Sequence, residues 1–345
     1  MKKLFKCVIH YFQSPHLAQV YDGFEKLKKQ GLVDLSYIKV DGDEAKPILK
    51  VVLDDKYTVI YDLIDGLHWY GSTKEEKLNH FKTTTEADYY FKRSYTDQLK
   101  QFSPEHCSVY PLGLNYPLNT EGKYKFLKGL VVNSYLFKYL KPNYRRYPSE
   151  LFESAPKLHK NNYIVFFAQL WNPDDVENEI SKKEREQINQ VRIAIIRACK
   201  SEFGDLFRGG IMTTSFSKTQ CPDILASKEE TDKLNYLRVV KESNICISTT
   251  GLHGSIGWQM GEYVAASKVI VSMPLNYDLP GDFIKGKNYL EFRDIEELIS
   301  QIKLLLNNKE LQFNMMNENF KYYNTYLKPD VLVLNTLMKV YNGKK

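Results

Sequence analysis

The sequence lacks several features that mark whole classes of protein. Its 345 residues include only five cysteines, and no two of these form a Cys-x-x-Cys pair: Cys7, Cys107, Cys199, Cys221 and Cys246. Scattered cysteines, odd in number, argue against a disulfide framework and a zinc site. No apolar run approaches the roughly 20 residues of a membrane-spanning helix, and the amino terminus turns polar before a signal-peptide core could form. These absences predict a soluble, cytoplasmic protein.

Strong charge of either sign is also missing. The 48 Lys and Arg residues exceed the 42 Asp and Glu residues by a formal net charge of +6. A dedicated nucleic-acid binder concentrates far more positive charge. We therefore expect no nucleic-acid partner, whereas an anionic small ligand or surface is permitted.

The chain has ample material for folded cores. Hydrophobic residues make up 43% of it, with 25 Tyr and 18 Phe, and the length exceeds the roughly 250 to 300 residues at which one core stops growing. We predict two domains, 1–155 and 156–328, separated by a proline-punctuated passage. A closing helix in 329–345 can pack back on the first domain.

Apolar strand patterns alternate with helical patterns in both halves. The first domain begins with predicted strands at 6–11 and 33–40 around a helix at 17–30. The second has predicted strands at 162–167, 244–248 and 269–272, with helices at 178–203 and 256–266. This alternation predicts an α/β fold with mostly parallel sheets, whose ligands bind at the carboxyl ends of the strands.

The segment from 248 to 272 is the most informative part of the sequence. A predicted strand leads into a loop that contains Gly251, Gly254 and Gly257, and a helix follows. The free N–H groups and the positive dipole end of a helix favour anions, so this pattern suits a diphosphate.

Side chains in the same segment add matching chemistry. Thr250 and Ser255 can donate hydrogen bonds to phosphate oxygens, and His253 can donate to phosphate or sugar. Glu262, about two turns along, can accept from ribose hydroxyls. Trp258 is a further candidate donor contact, with a core position as its alternative.

The run from Glu262 to Ser272 resembles nucleotide-sugar glycosyltransferases of the two-Rossmann-domain (GT-B) architecture, within the bacterial family-1 and family-4-like enzymes. It is especially similar to surface-polysaccharide enzymes, which continue with a Pro-Leu turn and an Asn-Tyr-Leu-x-Phe segment, here 274–275 and 288–292. The similarity extends through Tyr326-Leu327-Lys328-Pro329 and covers roughly residues 244 to 345.

The resemblance implies two Rossmann-like domains with parallel sheets facing across a cleft. It also implies transfer of a sugar from a nucleotide diphosphate donor, bound by the second domain, to a glycan or lipid-linked acceptor of lipopolysaccharide or capsule synthesis. No Asp-x-Asp motif lies near the donor segment, so we expect no metal and no cofactor.

Two positions depart from the family pattern. Retaining family-4 enzymes usually carry an acidic residue eight positions before the ribose Glu, where this chain has Gly254. They also often carry an Arg and a Lys after the first strand of the second domain, and both are missing from 166–172. Two alternatives therefore stay open: a nucleotide-sugar 2-epimerase, and a non-catalytic member that binds glycan or chaperones a partner.

The first domain offers candidates for acceptor chemistry. Asp65 and His68 follow a predicted strand, where a base could deprotonate an acceptor hydroxyl, although a turn at Asp65-Gly66 is the alternative. His10 and His16 flank the loop after the first strand, and His10 is a predicted acceptor contact, with core or turn roles as the alternative.

Three cations are candidates for binding anionic groups. Lys92 is predicted to hold the acceptor, and Arg93 to neutralise the departing diphosphate, because a guanidinium matches phosphate oxygens. Arg208, before Gly209-Gly210, is a further donor-binding candidate. A solvated helix face is the alternative for Lys92 and Arg93.

A basic, aromatic stretch spans 122–149. It carries seven Lys and Arg residues and no acidic residue. Such a segment can lie against anionic lipid headgroups, which would place the protein peripherally at the inner face of the membrane. A solvated charged face is the alternative.

Overall fold

The computed structural model describes residues 4–43, 46–67, 73–118 and 147–343. The chain divides into two compact units, and each contains one six-stranded sheet. The first comprises Met1–Leu151, Tyr277–Gly281 and Asn324–Lys345, and the second comprises Phe152–Asn276 and Asp282–Tyr323. The α/β fold class predicted from the sequence is confirmed.

Strands and helices alternate through most of the described residues. The strands are β1 (Phe5–Tyr11), β2 (Val33–Lys39), β3 (Ile48–Leu53), β4 (Tyr57–Asp62), β5 (Tyr89–Lys92), β6 (Ser108–Pro111), β7 (Ile164–Ala168), β8 (Phe207–Met212), β9 (Leu225–Ala226), β10 (Ile245–Ser248), β11 (Val269–Ser272) and β12 (Leu290–Glu291). The helices are α1 (Ala18–Lys29), α2 (Lys74–Thr84), α3 (Asp97–Gln101), α4 (Glu179–Phe203), α5 (Ser215–Gln220), α6 (Lys233–Glu242), α7 (Trp258–Ala265), α8 (Ile295–Asn307), α9 (Lys309–Tyr322) and α10 (Pro329–Asn342).

The sheet of the first unit is mixed. Its order is β2-β1-β3-β4-β5-β6, and β3 runs antiparallel to both of its neighbours. The turn between β3 and β4 passes through Asp54 and Asp55, both with φ of 54°, and such a short hairpin forces the strands to be antiparallel. Three of the five strand pairs are parallel, as expected, and β3 is the exception, since 40–47 is too short for a crossover helix.

Helix α1 covers one face of this sheet with the apolar side chains that its spacing predicts. Val20, Phe24 and Leu27 are buried in the core of the first unit. Helix α10 packs against α1 and adds Val333 and Leu337 to the same core.

The sheet of the second unit is parallel throughout, with the order β12-β11-β10-β7-β8-β9. All residues of β7, β10 and β11 are buried, as expected for strands covered on both faces. The chain builds outward from β7 to β9 and then returns to add β10 on the other side of β7. The junction of β7 and β10 is therefore the topological switch point, where open α/β sheets bind ligands.

Among the described residues, no helix combines the length and the apolar character needed to cross a membrane.

Candidate functional site

A cavity lies at the carboxyl ends of β10 and β11, beside the switch point of the second unit. Its volume is about 320 Å³, which is near the lower end of the range for small-molecule sites. The wall combines four residues of α4, four of the loop after β10 and one that follows β11: Glu184, Gln187, Ile188, Val191, Thr249, Thr250, Gly251, Gly254 and Met273. Thr250, Gly251 and Gly254 are thus brought together, and their donor-binding roles stay predictions.

The loop after β10 folds back on itself. The N–H of Gly251 donates to the Ser255 carbonyl at 2.8 Å, and Thr250 pairs with Ile256. Gly254 has φ of +64°, and a Cβ there would lie 2.8 Å from Nδ2 of Asn276. The backbone conformation at 254 therefore favours glycine.

His253 has the left-handed backbone of its glycine neighbour, with φ of 60°, which is uncommon for a residue with a side chain. Glu184 of α4 holds this residue at two points. Oε1 accepts from the His253 N–H at 2.5 Å, and Oε2 lies 3.5 Å from Nδ1. The predicted ligand contact of His253 thus sits beside a carboxylate that the sequence did not point to.

Arg192 joins the carboxyl ends of the two central strands. Its guanidinium donates to the Gln169 carbonyl after β7 at 2.6 Å, and to the Thr249 hydroxyl and the Thr250 carbonyl at 3.4 Å each. No carboxylate of the described residues forms an ion pair with it, and burial lowers the pKa of Arg192 to about 10. Helix α4 therefore supplies a positive charge where 166–172 has none.

Glu184 and Arg192 were both missed by the sequence reasoning. They stand eight residues apart, on either side of Ile188, so they lie along one line of the helix. Charged residues in line with an apolar stripe are a weak signal, because solvated helix faces also carry them.

Helix α7 begins at Trp258, two residues later than predicted, with Gly257 before it. Its Glu262 is 2% exposed. One carboxylate oxygen of Glu262 contacts the Lys233 ammonium, and the other accepts from the Tyr236 hydroxyl at 2.6 Å. The ribose role of Glu262 stays a prediction.

Two further predicted donor residues lie close to the loop. Ser255 is 3% exposed, and its hydroxyl faces Gly251. Trp258 is half-buried at the first position of α7. Neither lines the cavity.

Arg208 is not at this edge of the sheet, and its donor-binding role stays a prediction. It pairs in register with Val165, near the amino end of β7, and its guanidinium lies 4.3 Å from the ring centre of Tyr163. At about 3.3 Å per residue, Val165 lies about 10 Å before the strand's carboxyl end at Ala168.

In the first unit, Lys92 is fully buried, and its acceptor-binding role stays a prediction. Its ammonium donates to Oδ1 of Asp62 at 3.0 Å and to the Ile64 carbonyl at 2.6 Å, and both charged side chains are 0% exposed. Burial lowers the pKa of Lys92, and Asp62 opposes that shift. This pair is part of the core.

Asp65 and Arg93 are brought together at the carboxyl edge of the same sheet. The Arg93 guanidinium contacts the Asp65 carboxylate, and Asp65 keeps 35% of its side chain exposed. Burial lowers the pKa of His16, which feels the charges of both residues. Their catalytic roles stay predictions.

Other predicted residues lie elsewhere or outside the described part of the chain. His10 is half-buried, one residue before the end of β1, and its acceptor role stays a prediction. His68 and residues 122–146 fall outside the described residues, so the base role of His68 and the proposed membrane contact are also untested. No cluster of His, Cys, Asp or Glu suited to a metal ion occurs in the described ranges.

No family model and no curated protein matches this chain. Similar solved structures include HepE of Anabaena in complex with UDP, which is 8% identical, has a TM-score of 0.43 and matches over 95% of both chains. A protein of Listeria monocytogenes, provisionally named a UDP-N-acetylglucosamine 2-epimerase, is 13% identical, with a TM-score of 0.41 over 100% of this chain and 98% of that one. TarM of S. aureus, in a structure with UDP, is 13% identical, with a TM-score of 0.37 over 86% of this chain and 64% of its own length.

Proposed function

We propose that this chain is a glycosyltransferase that moves a sugar from a nucleotide diphosphate donor to a glycan or lipid-linked acceptor in surface polysaccharide synthesis. One observation carries the proposal: a cavity large enough for a sugar lies beside the switch point of a parallel sheet. It adjoins a glycine-rich loop and Arg192, which forms no ion pair with a carboxylate of the described residues. The resemblance of 244–345 to nucleotide-sugar enzymes supports the same function.

In this proposal the second unit holds the donor. The hydroxyls of Thr249 and Thr250 donate to the diphosphate, and Arg192 provides positive charge next to both residues. As the bond between the sugar and the diphosphate breaks, negative charge grows on the leaving oxygen, and a fixed cation stabilises that charge. Glu262 exchanges Lys233 for the ribose hydroxyls when the nucleotide binds.

The first unit supplies groups for the acceptor. Asp65 is a carboxylate with an exposed portion, and Arg93 fixes its orientation. Such a group can take the proton from an acceptor hydroxyl as its oxygen attacks the sugar. His16 is a second base within the electrostatic reach of both residues.

Release of nucleoside diphosphate tests the proposed activity. The full chain is incubated with UDP-, GDP- and dTDP-sugars, with and without an acceptor extract containing lipid-linked glycans. We expect release from one donor class to depend on the extract and to fall at least about a hundredfold in Asp65→Asn. A donor that binds without any turnover would instead favour the non-catalytic member.

A nucleotide-sugar 2-epimerase is the second candidate, and the burial of Lys92 favours it. One of the two predicted acceptor-binding residues is enclosed in the core, whereas an epimerase needs no acceptor. Conversion of the sugar nucleotide at the same rate with and without extract would identify this activity.

A further inference from the structure

Glu184 is the one acidic side chain among the residues that line the cavity. It reaches the loop from the second turn of α4, and 27% of its side chain is exposed. The hydrogen bond from the backbone N–H of His253 and the nearby His253 ring hold the carboxylate in place, so it is a preformed feature of the wall.

This carboxylate has acceptor capacity that no described residue uses. A carboxylate offers about four lone-pair positions, whereas the backbone N–H of His253 takes one and the ring nitrogen lies 3.5 Å from the other oxygen. The unused positions suit hydroxyl groups, which can donate, and oppose any second anion.

The remainder of the wall fits the two faces of a sugar ring. Ile188, Val191 and Met273 provide apolar surface, and the Thr249 and Thr250 hydroxyls provide polar groups. An apolar wall with a few fixed polar groups is typical of sites that orient a small ligand.

We propose that Glu184 makes the cavity selective for a neutral, hydroxyl-bearing sugar and excludes sugars that carry a carboxylate, such as uronic acids. This inference rests on the proposed function, because it assigns the sugar of the donor to the Glu184 end of the cavity. The positive charge of Arg192 lies beside Thr249 and Thr250, where the diphosphate is proposed to bind. Glu184 thus favours the neutral sugar at one end of the cavity, and Arg192 favours the anionic diphosphate at the other.

Matched sugar nucleotides test this selectivity by titration calorimetry. The pairs are UDP-glucose with UDP-glucuronate, UDP-galactose with UDP-galacturonate, and GDP-mannose with GDP-mannuronate. Titrations with UDP and GDP alone measure the affinity for the nucleotide without a sugar. We expect the wild-type chain to bind the neutral member of its pair at least about tenfold more tightly than the acidic member, because two carboxylates a few ångströms apart repel. In Glu184→Gln this ratio should fall about tenfold, while the affinity for the nucleotide alone stays unchanged.

Glu186→Gln is the matched control, because Glu186 is exposed on the same helix and does not line the cavity. It should keep the wild-type ratio. If the nucleotide binds but Glu184→Gln leaves the ratio unchanged, or the wild type prefers the acidic sugar, the inference is wrong and the proposed function stands. If no nucleotide or sugar nucleotide binds, both are wrong.

Discussion

Asp62 and Lys92 form a buried ion pair that joins the carboxyl ends of β4 and β5. Asp62 also accepts from the Ile64 N–H at 2.8 Å and from the Tyr90 hydroxyl at 2.6 Å. The pair therefore fixes the turn that leads to Asp65. A buried charge is tolerated here because its partner and these hydrogen bonds compensate for lost hydration.

Removing one member of this pair should be more damaging than removing both. Lys92→Met removes the positive charge beside the buried Asp62 carboxylate, and we expect the free energy of unfolding to fall by about 3 to 5 kcal/mol. Asp62→Asn with Lys92→Met should lose less than Lys92→Met alone. Urea unfolding of the two single variants and the double variant measures this, and strictly additive losses would contradict the pairing.

Lys268 makes the free energy of unfolding depend on pH in the alkaline range. It is 1% exposed, and its ammonium donates to the Lys241 carbonyl at 2.7 Å. Burial lowers its pKa from 10.5 to about 8. From pH 8 to about 10, the native lysine loses its proton while the unfolded lysine keeps it, so the unfolded state binds more protons and stability rises with pH.

This group should add at most about 1.4 kcal/mol of stability per pH unit across that window. Lys268→Met should remove the rise. Lys160→Met is the control, because Lys160 is exposed, whereas the charge of Lys157 itself helps to lower the pKa of Lys268. Chemical unfolding at pH 7.5, 8.5 and 9.5 measures the difference between wild type and each variant. An equal pH dependence in wild type and Lys268→Met would contradict the lowered pKa.

At the scale of elements, periodicity predicted the strands and helices that carry clear patterns. Examples are the buried apolar runs of β7, β10 and β11 and the apolar stripe of α1. The direction of β3 was not predictable from its own residues, because a strand has the same alternation in either direction. Its direction is set by the hairpin at Asp54-Asp55.

The position of Arg208 in a strand was not predicted. Gly209 and Gly210 weaken the strand pattern of β8 in the sequence. In the structure a Cβ at Gly209 would overlap the carbonyl of Phe166, and glycine is used for close strand packing. Arg208 is consequently a strand residue near the amino end of the sheet.

The packing of α10 on α1 depends on Gly23. A Cβ at this position would overlap the Pro329 carbonyl and lie 2.5 Å from Cγ2 of Val333. We expect Gly23→Ala to lower the free energy of unfolding by about 1 to 3 kcal/mol through overpacking, even though Ala favours a helix. Lys29→Ala, at an exposed position of α1, should change it by less than about 0.5 kcal/mol, and equal effects would contradict close packing at Gly23.

For the whole molecule, sequence reasoning predicted the α/β fold, and it singled out the loop of the second unit that lines a cavity. It did not predict the other wall. Glu184 and Arg192 lie about 60 residues or more before that loop in the chain, and only the fold brings α4 against it. Long-range contacts of this kind leave no local pattern.

Ligand binding to the native state links the site to overall stability. A ligand present at 100 times its Kd stabilises the native state by about 2.7 kcal/mol, or roughly 5 to 10 °C in Tm for a unit of this size. Arg192→Met should reduce this shift strongly, and Arg192→Lys should retain part of it. Arg197→Met is the control, because Arg197 lies on the same helix and is half exposed in a surface pair with Asp223.

The most direct test of the central claim is a thermal-shift screen of the wild-type chain and these variants against UDP-, GDP-, dTDP- and CMP-sugars. At least one sugar nucleotide should raise the Tm of the wild type and of Arg197→Met by several degrees, and raise that of Arg192→Met much less. If none of them raises the Tm of the wild type, the second unit does not bind a nucleotide sugar, and the proposed function is wrong.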